Sequence, residues 1–286
     1  MLVVLAVIVV YFGARIFASK IPFRYEAVLN KSFSGEKGLF HSRPSAACGA
    51  EEKEGLEALQ SMSERLASVM ALPKEMKIRV HLVGDRDPNA FATLGGNIAF
   101  NRGLIEKLHT ENGLAMVMAH EIAHIRRRDP IVSLGGGVAV AVLLSVFIGN
   151  TDGGSLVAWA AGLTQLSFSR EQETEANAAA LAALKAHYGY TNGAEEFFVY
   201  ITEKHPKASA VPAFISTHPM PESRLQKIRE SFDPVSREKK PLPEALRRLQ
   251  LCWKSGIRDQ ESGIRNQGSD ENRSVFQGSS SSVTDP

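Results

Sequence analysis

His120-Glu121-Ile122-Ala123-His124 constrains this 286-residue chain more than any other feature. Two histidines four residues apart lie one above the other on a helix face. Both imidazoles can then reach one metal ion at ~2.0–2.1 Å. Glu121 is turned about 100° further round the helix, beside the ion, where it can take a proton from metal-bound water. The preceding run, Gly113 to Ala119, is apolar, so the helix is expected to be buried. A buried glutamate with neither metal nor partner would be costly. The pattern predicts one Zn2+ per chain, with His120 and His124 as ligands and Glu121 as general base. A catalytic zinc also needs a third protein ligand and an open position for water. A continuation with glycine at 127 and histidine at 130 is excluded, because Arg127 and Pro130 stand there. Glu171, Glu173 and Glu175 cluster further on, and composition alone does not choose among them.

Composition excludes several classes. With 33 Lys+Arg against 31 Asp+Glu, the balance is too even for a nucleic-acid binder that works by neutralising phosphates. A mean hydropathy of -0.11 excludes a polytopic membrane protein, and 44% apolar residues exclude a disordered chain. Two cysteines, Cys48 and Cys252, are too few for a disulfide scaffold or an all-cysteine zinc site, and both are expected to be inert or structural thiols.

The average conceals unlike parts. Residues 1–19 carry a single charge, Arg15, and a helix of that length is about 28 Å long, close to the bilayer core. They are expected to form an uncleaved membrane or signal anchor; no basic residue precedes them and no small-x-small cleavage site follows. Residues 131–169 hold one charge, Asp152, and divide at Asn150–Gly154 into an apolar helical hairpin. Burial in the domain and entry into the membrane both suit that hairpin. Residues 254–286 are polar, include an imperfect seven-residue repeat and are expected to be disordered. Residues 20–253 remain, long enough for one globular domain.

Periodicity predicts helices over 51–72, 102–108, 110–128, 155–186, 192–204, 221–231 and 242–252. Residues 77–83 alternate like a strand, and 90–100 read as a β-hairpin turning at Gly95-Gly96. The strand at 97–100 is expected to offer an edge to an extended polypeptide. The class is α+β, mostly helical, with one small sheet.

HExxH, a long apolar interval and then Ser169-Arg170-x-x-Glu173-x-x-Ala176-Asn177 resembles peptidase family forty-eight, the group of HtpX, BepA-type and CAAX prenyl proteases. The resemblance runs from about residue 78 to 229. It takes in Asn89–Ile98, Arg102-Gly103-Leu104, Thr217-His218-Pro219 and Arg224. It implies a zincin-like metalloendopeptidase domain in which Glu173 is the third zinc ligand. Asn177 stands where the family has an aspartate expected to orient a ligand histidine. His218 and Arg224 are candidates for stabilising a developing oxyanion. The expected substrates are polypeptides, unfolded or membrane proteins, in protein quality control. A catalytically silent, client-binding adaptor is the alternative. A CAAX prenyl protease would need more spanning helices. Arg15, Lys20, Arg24, Arg126–Arg128 and Arg170 flank the apolar segments. By the positive-inside rule this expects a bacterial inner-membrane protein with a cytoplasmic domain, a periplasmic one being the alternative.

Overall fold

The computed structural model describes residues 2–33, 48–137, 168–204, 214, 218, 222–232 and 238–255. The interior of the expected 131–169 hairpin and the tail beyond 255 lie outside the described residues.

The chain opens with two helices, α1 (Leu2–Lys20) and α2 (Phe23–Phe33). Pro22 separates them, having no N–H to continue the ladder. Apolar side chains of α1 stand outward: Val9 is 62% exposed, Phe12 59%, Ile16 64% and Phe17 78%. At about 28 Å, α1 falls just short of the ~30 Å hydrocarbon core. Among the described residues no helix is long and apolar enough to cross a membrane.

Helix α3 (Gly49–Val69) turns Leu59, Met62 and Leu66 into the core. Three strands follow: β1 (Arg79–Val83), β2 (Ala90–Thr93) and β3 (Asn97–Asn101). Gly95 and Gly96 close the β2–β3 hairpin at φ 71° and 81°, a left-handed pair that glycine alone adopts without strain. A Cβ on Gly95 would sit 2.9 Å from the Ala27 Cα, so the turn is pressed against α2.

The sheet order is β1-β3-β2, with β1 parallel and β2 antiparallel to β3. This corrects the expectation that residues 97–100 form an edge. β3 is central and paired on both sides; the edges are β1 and β2. The outer side of β1 is met by Gln60, whose amide accepts from the Val80 N–H at 3.0 Å and donates to the Ile78 carbonyl at 3.1 Å.

After α4 (Arg102–Lys107), helix α5 (Glu111–Arg127) crosses the interior, with every residue from Asn112 to Ile125 buried. It packs against α3, β2 and the helix over residues 170–188. Residues 129–137 are again helical (α6). Then come α7 (Arg170–Tyr188), α8 (Glu196–Lys204), α9 (Glu222–Glu230) and a last helix over 244–255 (α10). One large apolar cluster joins α3, the sheet, α5, α7, α8, α9 and α10. A smaller one, Ala18, Leu94, Ile131 and Leu134, joins α1 to the hairpin turn and α6.

The cysteines are not free thiols. Cys48, at the start of α3, and Cys252, in α10, form a disulfide across 204 residues of sequence. Beside it Trp253 donates its indole N–H to Glu52 at 3.1 Å and lies under the Arg102 guanidinium.

A candidate metal centre in a buried helix

Two capped helices bring the site together. Thr110 starts α5 by accepting the Gly113 N–H at 3.0 Å. Ser169 starts α7 with a capping box: it accepts the Gln172 N–H at 3.3 Å, and Gln172 accepts the Ser169 N–H at 2.9 Å. That cap places Glu173 in the first turn of α7, facing α5. Of the three candidate glutamates only Glu173 is buried; Glu171 and Glu175 are exposed, and Glu175 pairs with Arg127.

His120, His124, Glu173 and His218, all without exposure, each offer a ligand atom, and these atoms lie within 4.8 Å of one another. His120 Nε2 and His124 Nε2 are 3.1 Å apart. Glu173 Oε1 is 3.3 Å from His124 Nε2, and Glu173 Oε2 is 3.5 Å from His120 Nε2. Ligands bonded at ~2.0–2.1 Å in a tetrahedron sit about 3.3 Å apart, so the donors are already spaced as edges of such a polyhedron. The chemistry of the set, two imidazoles and one carboxylate, also suits zinc.

The orientation of His124 comes from a residue that sequence reasoning missed. Its Nδ1 lies 2.8 Å from Asp129 Oδ2, which leaves Nε2 as the nitrogen facing the cluster. The other Asp129 oxygen accepts from Gln172 at 2.7 Å, so one amide serves both the α7 cap and the metal helix. Asp129, directly after three arginines, carried no signal of its role in the sequence. Asn177 is buried on α7, but its Oδ1 accepts no hydrogen bond among the described residues, and the same holds for His120 Nδ1.

Glu121 stands beside the cluster. Its Oε2 accepts the Ala92 N–H of β2 at 2.7 Å, and its Oε1 is 3.7 Å from His218 Nε2. His218 Nδ1 is 2.9 Å from Glu173 Oε1, and Arg224 Nη2 is 2.8 Å from Glu173 Oε2. Both oxyanion candidates thus lie against the Glu173 carboxylate. Phe168 stacks on His124 and Phe214 on His218, with ring centroids 4.1 and 4.7 Å apart, closing the site with apolar walls.

Burial and charge divide the titratable groups. Burial pushes His120 down to about 3, aided by the neighbouring histidines and opposed by Glu173. Burial also works against a charged His124, but Asp129 and Glu173 outweigh it and raise the group to about 9. Glu173 is held far below the carboxylate range, burial being overcome by His218 and the hydrogen-bonded histidines. Burial lifts Glu121, against the pull of His218 and the Ala92 N–H. Without metal His120 is therefore a free base and Glu173 a carboxylate, as ligation requires, whereas His124 holds a proton that a bound metal would displace.

A mostly helical α+β domain with this histidine and glutamate set defines a metallopeptidase. The model of peptidase family M48 matches residues 55–231, and the chain belongs to that family. It is 32% identical over 167 residues to a putative beta-barrel assembly-enhancing protease of Vibrio cholerae, covering 52% of this chain and 33% of that protein. It is 29% identical over 169 residues to the mitochondrial metalloendopeptidase OMA1 of Schizosaccharomyces pombe, covering 58% and 50%. Against a protease HtpX homolog of Methylibium petroleiphilum it is 29% identical over 211 residues, covering 58% and 72%. The match to the first two spans only a third to a half of their length.

Proposed function

We propose that the protein is a membrane-associated zinc metalloendopeptidase that cleaves unfolded or membrane polypeptides in protein quality control. One observation carries the reading: His120, His124 and Glu173 converge at tetrahedral spacing, and Glu121 stands next to them on an Ala92 N–H. A zinc ion there would polarise the scissile carbonyl and acidify its water towards ~7. Glu121 removes the water proton and returns it to the leaving amine. His218 and Arg224 hold Glu173 in place. An extended substrate would add along β2, the sheet edge beside Glu121, through main-chain pairing that is largely indifferent to sequence.

The exposed apolar face of α1 supports anchoring in a lipid bilayer. For the domain itself the disulfide favours an oxidising compartment, the periplasmic alternative over the cytoplasmic one. Carbonate extraction of protein lacking residues 1–19 tests the anchor: continued retention in the membrane would remove α1 from that role. The decisive experiment compares wild type with Glu121→Gln on unfolded casein, with zinc measured in both. Cleavage should vanish in the variant while zinc stays at one per chain. Equal cleavage by the two would end the mechanism.

A further inference from the structure

Arg128 occupies a costly position. It ends α5 at φ 66°, a left-handed conformation that helices usually give to glycine and that a Cβ disfavours. Its guanidinium reaches away from the metal cluster into α2. There Nε donates to Glu26 Oε1, Nη2 donates to the Ile21 carbonyl at 2.6 Å, and the group lies over the Phe23 ring. Glu26 is only 2% exposed, and its other oxygen accepts the Gly95 N–H at 3.2 Å. The pair of buried Glu26 and half-buried Arg128 therefore joins the start of α2, the β2–β3 turn and the end of α5.

Each end of this link is close to a working group. Arg128 precedes Asp129, which holds His124. Gly95 lies three residues beyond Ala92, whose N–H holds Glu121. Stability alone accounts poorly for the arrangement. Replacing both members of a buried ion pair by uncharged groups is often neutral or stabilising, and glycine would relieve the backbone at 128. Strain of this kind persists where surrounding structure requires the side chain.

We propose that Glu26 and Arg128 are a positioning pair for the metal site. They fix the β2–β3 hairpin against the end of α5, and so set the Ala92 N–H on Glu121 and Asp129 on His124. The proposal rests on the metallopeptidase reading. It makes the N-terminal α1–α2 unit a structural part of the site as well as its anchor.

The test uses the full chain in four forms: wild type, Glu26→Gln/Arg128→Gly, Arg128→Lys and Glu121→Gln. Each is measured for kcat and KM on fluorogenic casein, zinc per chain and thermal midpoint. The double variant should bind one zinc and unfold within a few degrees of wild type, yet lose at least tenfold in kcat with KM within about twofold. Arg128→Lys keeps the charge but not the forked donors, and should fall between the two. Wild-type kcat in the double variant overturns the proposal. So does a loss of kcat, in the double variant or in Arg128→Lys, that merely tracks lost zinc or lost folded protein. Glu121→Gln separates the two readings: full activity there sinks the peptidase mechanism, whatever the pair variants do.

Discussion

Replacing Asp129 by asparagine isolates the support of one proposed metal ligand, His124. Both Asp129 oxygens accept, one from His124 Nδ1 at 2.8 Å and one from Gln172 at 2.7 Å. Asparagine has one oxygen and one NH2, so it can serve only one of these donors. If the oxygen stays on His124, the new NH2 faces the Gln172 NH2. Gln172 cannot simply flip, because its oxygen already accepts the Ser169 N–H in the α7 cap. Loss of a ligand-orienting partner typically weakens metal binding about 10–100-fold, or about 1.4–2.8 kcal/mol. An independent estimate, the loss of a charge-assisted hydrogen bond, gives about 1.5–3 kcal/mol. The two agree, so Asp129→Asn should raise the zinc Kd by one to two decades. Competition with a chromophoric chelator at neutral pH reads this directly. Asn177→Ala is the comparison, and should shift the Kd by less than about threefold, since the Asn177 oxygen accepts no hydrogen bond among the described residues. A tenfold loss in Asn177→Ala with an unchanged Asp129→Asn would refute the reasoning and return the orienting role to Asn177.

Other outcomes follow from the same geometry. Glu173→Ala should lose zinc, whereas Glu171→Ala and Glu175→Ala, at exposed positions, should keep it; metal analysis of the purified proteins decides. Zinc-free protein should lose stability as pH rises from about 6.5 towards 9. His124, raised to about 9, keeps its proton when folded and loses it when unfolded. Zinc holds His124 deprotonated and should flatten that slope, so urea midpoints that do not move with pH in the zinc-free form would contradict the assignment. Reduction of Cys48–Cys252, which closes a loop of about 204 residues, should cost about 5 kcal/mol in the chain-entropy account, and an unchanged thermal midpoint under reductant would exclude that link.

What could be read in advance depended on the range over which each signal acts. Helical periodicity and capping are local, so α5, its Thr110 cap and the Gly95-Gly96 hairpin stood in the sequence. The HExxH spacing is local too. Glu173 needed the family resemblance, because three glutamates at alternate positions look alike until a helix is docked and one of them is buried. Strand order was not readable: β1 pairs with β3 in parallel, across the intervening β2, and no local pattern specifies that crossover. Asn177 shows the limit of face arguments. It does share a buried face with Glu173, yet sharing a face does not supply a partner, and the oxygen that reaches His124 comes from Asp129, beyond the end of a different helix.

The arginines beside the apolar segments show the same limit. Positive-inside reasoning counts arginines as if all were free to hold a loop in the cytoplasm. Arg128 is not: its guanidinium is taken by Glu26 and the Ile21 carbonyl. Arg127 is shared between Asp129 and Glu175. Of the three consecutive arginines, only Arg126 has no ion-pair partner among the described residues, so the cluster says much less about sidedness than its sequence suggests. Cys48 and Cys252 carried no topological weight in sequence, because a pairing across 204 residues cannot be inferred from two positions. Once paired they bear directly on compartment, since a structural disulfide persists where thiols are not kept reduced. On the proposed membrane anchoring, the residues that best discriminate the side of the domain are therefore the two cysteines, and a shift on reduction in a gel of the extracted protein would place it more firmly than any count of arginines.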